Sequence, residues 1–267
     1  MKPFLNKKGL FYVRFAAMYT LKKSLGQHFL KDEHIIQKII AALKEHSFTN
    51  LLEVGPGAGA LTKELIKIPN INFQAVELDD EKIEYLQKKY DALHAKIIHK
   101  SFLEIDKPFE EPFTVIGNFP YNISTQILFK ILEWKEDVPV VIGMFQREVA
   151  LRAASAPGSK VYGVLSALIQ PYYDIEYLFD VPPESFNPPP KVQSGVIRLT
   201  RSKTTLNVKS ERAYWVLVKT AFNQRRKTMR NAVKSLFAPE VLQDEIFLKR
   251  AEALSIEDFA ELTHRML

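Results

Sequence analysis

Between Asp32 and Phe145 the sequence alternates short apolar runs with helical patterns, and the first run opens into a glycine-rich loop. Asp32 is placed to cap a helix whose apolar face is Ile35, Ile36, Ile39, Ile40 and Leu43. Strands are predicted at 51–54, 71–78, 96–99, 113–117 and 138–145, with helical patterns at 60–68, 81–90 and 127–134. Strands spaced by helices of this length predict an α/β fold, a parallel, doubly wound sheet with both faces covered. After Gln146 the pattern changes. A helical stretch at 163–170 is followed by two strand-like runs, 172–179 and 192–199, joined by the proline-rich VPPESFNPPPK, which predicts an antiparallel addition at the sheet's edge. Beyond Arg201 only helical text remains, ending in a helix with Ser255 and Asp258 at capping-box spacing. The polar stretch at 201–210 marks a boundary, giving an α/β domain over 21–204 and an all-helical domain over 205–267. Residues 1–20 are expected to be a disordered extension, and Met18 stands just before the first patterned sequence.

Composition narrows the chemistry. The chain has 267 residues and no cysteine, which excludes thiolate zinc sites, iron–sulfur clusters, cysteine nucleophiles and disulfides, and suits a reducing compartment. No metal site is expected. The longest uncharged stretch, 112–129, carries two Asn, Ser, Thr, Gln and a second Pro, so no membrane span is expected. The net charge of +6 conceals larger imbalances: +7 over 1–31, −6 over 32–200 and +5 over 201–267. From Arg212 to Pro239 there are seven Lys or Arg and no acid. Basic ends around an acidic body resemble a footprint for a phosphate-rich partner, although a basic run is also an ordinary solvated face.

Two motifs carry chemistry. Glu53-Val54-Gly55-Pro56-Gly57-Ala58-Gly59 follows the first strand and opens a helix. Glycines there let the backbone approach a ligand, but the G-x-G-x-G spacing and the amide lost at Pro56 differ from the pyrophosphate fingerprint. Glu77 ends the next strand 22 residues after Gly55, where a carboxylate accepts from ribose hydroxyls. Together they indicate a nucleoside-containing cofactor without saying which; the competing reading is a tight turn and a solvated acid. The second motif is Asn118-Phe119-Pro120-Tyr121, at the end of the strand 113–117. An exocyclic aromatic amine is a poor nucleophile because its lone pair is delocalised into the ring. The Asn118 amide oxygen and the Phe119 carbonyl, held by Pro120, can accept from that NH2 and free the lone pair, while Tyr121 stacks on an extruded base. A turn after a strand is the alternative reading, since Asn and Pro form turns. Methyl transfer to carbon 5 of a pyrimidine normally needs a cysteine nucleophile, which this chain lacks, so an amine target remains.

LKKSLGQHFLKD (21–32), EVGPGAGALT (53–62), GNFPYNIS (117–124), FQREVALR (145–152), PPESFNPPPKVQS (182–194) and FNQRRKTMRN (222–231) resemble, in order, the signature blocks of the ribosomal RNA adenine dimethyltransferase family. The likeness covers about residues 21–267. It implies a class I S-adenosylmethionine-dependent methyltransferase with a Rossmann-like, mostly parallel sheet, and N6,N6-dimethylation of adenosines with S-adenosylmethionine as cofactor. For the bacterial branch it implies two adjacent adenosines near the 3′ end of small-subunit (16S) ribosomal RNA within an immature 30S subunit, in a cytoplasmic protein expected to be monomeric. By the same resemblance Gln27, His28 and Leu30 line the cofactor's entry, Gly55 and Gly57 face its methionine part, Glu77 its ribose, and Asn118 both cofactor and target. Ser101 stands where the family usually has an aspartate accepting from the cofactor adenine, which implies weaker cofactor binding; His28 replaces a usual asparagine and Phe119 a usual leucine. Phe186 would complete the aromatic sandwich around the target base, and Lys22, Lys23, Arg147, Lys191, Arg225, Arg226, Lys227 and Arg230 would meet RNA phosphates, Arg225 and Arg226 alternatively tying the helical domain to the sheet. Competing members are a large-subunit adenine methylase conferring drug resistance and a mitochondrial member acting as a transcription factor; a DNA adenine methylase would share only the Asn118 motif.

Overall fold

The computed structural model describes residues 28–267, so the extension expected over 1–20 and the expected site residues Lys22, Lys23 and Gln27 lie outside the described residues. A two-residue strand, β1 (Phe29–Leu30), leads into α1 (Glu33–Lys44). Asp32 caps α1, its side chain accepting from the amides of His34 at 3.0 Å and Ile35 at 3.3 Å. The helix buries the five residues expected from the pattern.

The apolar runs form β2 (Asn50–Val54), β3 (Asn72–Glu77), β4 (Ile97–His99), β5 (Phe113–Asn118) and β6 (Val140–Gln146), all mutually parallel. Between them lie α2 (Thr62–Leu65), α3 (Asp80–Lys89) and α4 (Ser124–Glu133). The helical pattern at 60–68 shortens to the four residues of α2 because Pro69 follows and the chain leaves through tight turns, Ile68 N donating to Leu65 O at 3.1 Å. Beyond β6 come α5 (Arg147–Ala154), α6 (Val164–Ile169), β7 (Tyr173–Val181), β8 (Phe186–Asn187) and β9 (Ser194–Arg201). The sheet order is β4-β3-β2-β5-β6-β9-β7, and β1 pairs separately with β8.

The expected antiparallel addition is present at the sheet's edge, and the fold sets the order of its two strands. β9 is antiparallel to both neighbours and lies inside the sheet, while the earlier strand β7 takes the edge. Burial explains the order. Val196, Ile197 and Leu199 of β9 are fully buried and need cover on both faces, whereas β7 alternates between exposed and partly buried positions that tolerate an edge. Side chains of β2 show how the faces divide: Leu51 joins the core under α1, and its neighbour Leu52 the core under α4. Each such buried aliphatic side chain contributes about 1.5–3 kcal/mol relative to exposure.

Past β9, residues 202–210 carry no helix or strand, and α7 (Glu211–Asn223), α8 (Met229–Ala232) and α9 (Ile256–His264) follow. The α9 capping box is present, Asp258 N donating to Ser255 Oγ at 3.0 Å and Ser255 N to Asp258 Oδ2 at 2.9 Å. The helical core of Tyr214, Leu217, Phe247 and Phe259 also takes in Tyr162, Ala167 and Leu168 from around α6. Tyr214 Oη donates to Ala167 O at 2.9 Å, so the two parts share a core. Among the described residues no helix is long and apolar enough to cross a membrane.

Candidate active site

The carboxyl ends of β2, β3, β4 and β5 open onto one cavity of about 250 Å³, beside the point where the strand order reverses between β2 and β5. Open α/β sheets bind ligands there because helix starts and loop amides converge while the strand direction leaves a crevice. The cavity gathers His28, Leu30, Gly55, Gly57, Glu77, Ser101 and Asn118 through Tyr121 from five segments of the sequence.

The loop after β2 turns through left-handed backbone at Gly55 (φ +68°) and Gly57 (φ +56°), a conformation that costs other residues roughly 1–2 kcal/mol. Glu77 fastens this loop. Its Oε2 accepts from Gly57 N at 3.1 Å, and its Oε1 from Leu78 N at 2.9 Å and Asp79 N at 3.1 Å. A carboxylate offers about four acceptor sites, so Glu77 keeps capacity for one further hydroxyl.

Beneath the same loop lies Glu53, which sequence reasoning used only as the first letter of the glycine motif. It is 2% exposed, lines the cavity, and its Oε2 accepts from Thr62 Oγ1 at 2.7 Å. Burial pushes its carboxyl up to about 8 against the Thr62 hydrogen bond, and the like charge of Glu77 adds to the rise. The signal available in the sequence was an acid inside the short apolar run 51–54.

At the end of β5, the Phe119 ring drops into the core at 4.9 Å from Phe145. Two glycines make this possible: a Cβ at Gly143 would lie 2.5 Å, and one at Gly117 2.7 Å, from the Phe119 ring. The Phe119 amide donates to Met144 O at 3.1 Å, and its carbonyl accepts from no described residue. Asn118 Nδ2 donates to His28 O at 3.1 Å, which fixes that end of the amide and leaves Oδ1 as the available acceptor. The His28 ring is itself held, Nδ1 bonding Pro188 O at 2.9 Å, and lies 5.6 Å from the Tyr121 ring at 32°. Tyr121 Oη bonds Ser194 Oγ, and burial raises the phenol's pKa above its usual value, so the ring stays neutral.

Ser101 reaches the cavity from the end of β4. Phe186 does not reach it; 1% exposed, it sits in β8 opposite Leu30 of β1. The expected phosphate ligands divide into two groups. Arg225 Nη2 donates to the Lys160 and Tyr162 carbonyls and Nε to Glu252, and Arg230 donates to Leu242 O and Gln243 O. Arg225 therefore ties the helical part to the 160–162 turn, and Arg230 ties the helical part to itself. Arg147 pairs with Asp180 at 2.9 Å, while Lys191, Arg226 and Lys227 are exposed.

The family model of the ribosomal RNA adenine dimethylases matches residues 18–266. The chain belongs to that family. Among dimethylase relatives, ribosomal RNA small subunit methyltransferase A of Cytophaga hutchinsonii is 49% identical, covering 92% of this chain and 96% of its own. The protein of the same name from Flavobacterium johnsoniae is 48% identical, with 92% and 95% covered. A dimethyladenosine transferase structure from Plasmodium falciparum superposes with a TM-score of 0.75 at 24% identity, over 88% of this chain and 96% of that one. The 23S rRNA methyltransferase ErmE superposes with 0.65 at 22% identity, over 88% and 99%. The chain thus shares the fold of these two methyltransferase structures.

Proposed function

We propose that this dimethylase uses S-adenosylmethionine to dimethylate N6 of two adjacent adenosines near the 3′ end of small-subunit (16S) ribosomal RNA, acting on an immature small subunit. The observation that carries the chemistry is Asn118-Phe119-Pro120-Tyr121 at the mouth of the glycine-loop cavity, with two carbonyl acceptors available. The choice of RNA rests on the likeness to the small-subunit methyltransferase A relatives. The likeness to ErmE is one of fold and does not carry its substrate.

The cavity lining fits the cofactor's chemistry. Glycines without Cβ atoms leave room along one wall, the Glu77 carboxylate has an acceptor left for a ribose hydroxyl, and Ser101 beside Phe102 offers a hydroxyl and an apolar face for a purine. His28 and Leu30 close the entry, with Gln27 preceding them. When bound, S-adenosylmethionine supplies a methyl group activated by its sulfonium. The chain's own part is to hold the target amine. Asn118 Oδ1 and Phe119 O accept hydrogen bonds from its N–H groups and draw the nitrogen toward tetrahedral geometry, and Tyr121 stacks on the base. No strong base is needed, because the nitrogen becomes acidic once alkylated and its proton leaves to solvent. Orientation of this kind accounts for up to ~7–11 kcal/mol of a barrier. Phe186 takes the base's other face in this reading, which requires the β1–β8 ribbon to expose it.

We assign 21–204 to catalysis and 205–267 to RNA docking, in a monomeric cytoplasmic enzyme. Lys22, Lys23, Arg147, Lys191, Arg226 and Lys227 meet phosphates, while Arg225 and Arg230 are linkers first. Replacing Arg226 and Lys227 together by Ala is expected to lower the slope of log K for RNA against log salt by about two units. Arg225→Ala is expected to leave that slope unchanged and to lower the melting temperature; equal slopes in all three proteins would remove the cluster from the interface. The function itself is tested by offering labelled cofactor to immature small subunits, naked small-subunit RNA, large-subunit RNA and duplex DNA. Dimethyladenosine in small-subunit RNA is expected; label in DNA or large-subunit RNA would overturn the reading.

A further inference from the structure

Ser194 is the last residue of the proline-rich block PPESFNPPPKVQS. It opens β9, lies opposite Gln146 of β6 on one side and Val181 of β7 on the other, and is fully buried. Pairing on both sides fixes its backbone, since a shift in register would break two ladders at once. A buried hydroxyl is costly without a partner. Among the described residues the Ser194 hydroxyl bonds Tyr121 Oη and no other group. Tyr121 is held at its other end too, its carbonyl accepting from Ser124 Oγ at 3.1 Å. The residue is therefore gripped at the backbone and at the phenol, with the His28 ring 5.6 Å from its own. Ser194 itself does not line the cofactor cavity, whereas Tyr121 does.

We infer that Ser194 is a positioning residue for the target base: its hydroxyl anchors the Tyr121 phenol, which fixes the plane on which the adenine stacks and the reach of N6 to its two acceptors. The inference rests on the methyl-transfer reading above and adds to it the group that sets the stacking geometry. A tyrosine ring turns about two side-chain torsions, and stacking by itself tolerates sliding of the base. The reaction tolerates less, because N6 must meet Asn118 Oδ1 and Phe119 O together while its lone pair is aimed at the methyl donor. Both acceptors stand at the end of β5, whereas the anchor stands on β9, with β6 between them. The base is thus located from two strands of one sheet rather than from the 118–121 loop alone, and sites built on strands hold tighter geometry than sites on loops.

Single-turnover methylation of immature small subunits by the full chain, at saturating S-adenosylmethionine, tests the anchor. Ser194→Ala is expected to slow the transfer by about 10- to 100-fold, the scale of a displacement of about 1 Å at a reacting centre, while the cofactor Kd stays within about twofold. Tyr121→Phe keeps the ring and removes the phenol, so it should lose the same factor, and the double variant should be no slower than either single one. Ser194→Thr restores a hydroxyl and should recover most of the rate. A serine that only stabilised the fold would lower the melting temperature of Ser194→Ala and leave the single-turnover rate alone. A Ser194→Ala rate within threefold of the parent protein, or single losses that multiply in the double variant, overturns the anchor and leaves the methyl-transfer reading standing. Tyr121→Phe serves if Ser194→Ala does not fold, and a rate within threefold of the parent there overturns the anchor equally. A parent protein that methylates no adenosine in small subunits overturns the methyl-transfer reading and the anchor with it.

Discussion

Asn118→Ala is expected to lower kcat for methyl transfer by about 10²–10³-fold, the scale seen when one preorganised hydrogen-bonding group is removed from a reacting centre. The target amine gains nucleophilicity from two acceptors together, Asn118 Oδ1 and Phe119 O, and the alanine leaves only the backbone carbonyl. That carbonyl should persist, because its position depends on the Phe119 ring seated against Gly117, Gly143 and Phe145 rather than on residue 118. The substitution also removes the Asn118 Nδ2 bond to His28 O, so a smaller loss of cofactor affinity, less than about tenfold, should accompany it. Single-turnover kinetics beside equilibrium cofactor binding separate the two effects. A kcat within threefold of the parent protein would remove Asn118 from the chemistry.

Glu77→Ala has its largest effect on binding. The cofactor Kd is expected to rise at least about 100-fold, or about 2.7 kcal/mol. Two losses combine. The ribose loses its charged acceptor, a hydrogen bond of about 1.5–3 kcal/mol, and the amides of Gly57, Leu78 and Asp79 lose the carboxylate that holds the loop in its binding form. Glu77→Gln keeps one carbonyl oxygen and turns the other position into a donor that faces amide N–H groups, so it should fall between parent and alanine. Calorimetric titration with the cofactor checks the order. Alanine binding within threefold of the parent would show that Glu77 fastens the loop without touching the ligand.

Much of this was legible before any coordinate. The α1 face, the α9 capping box and the parallel strands follow from periodicities of 3.6 and 2, which are properties of neighbouring residues. The Gly55 and Gly57 turn, Glu77 at a strand end and Asn118 at the end of β5 were readable because each sits at a fixed offset from a strand that the pattern already located. The losses have one character. Nothing local distinguishes β7 from β9 as the edge strand, since the choice depends on which faces the rest of the sheet can cover. Nothing local separates Arg225 and Arg230, bonded to distant carbonyls, from Arg226 and Lys227, which face solvent.

The two ends of that scale meet at Glu53 and Asn118. By itself the sequence determined the family, the sheet's parallel body, the glycine loop and the amine-directed motif, and the missing cysteine closed the carbon-methylation route. Only the tertiary structure decided that Glu53 is buried beside Glu77 with Thr62 as its support, and that His28, 90 residues away in sequence, fixes the Asn118 amide. The physical reason is range. Backbone periodicity and turn chemistry act over a few residues, whereas desolvation and hydrogen-bond orientation depend on whatever distant segments the closed fold places within a few ångströms.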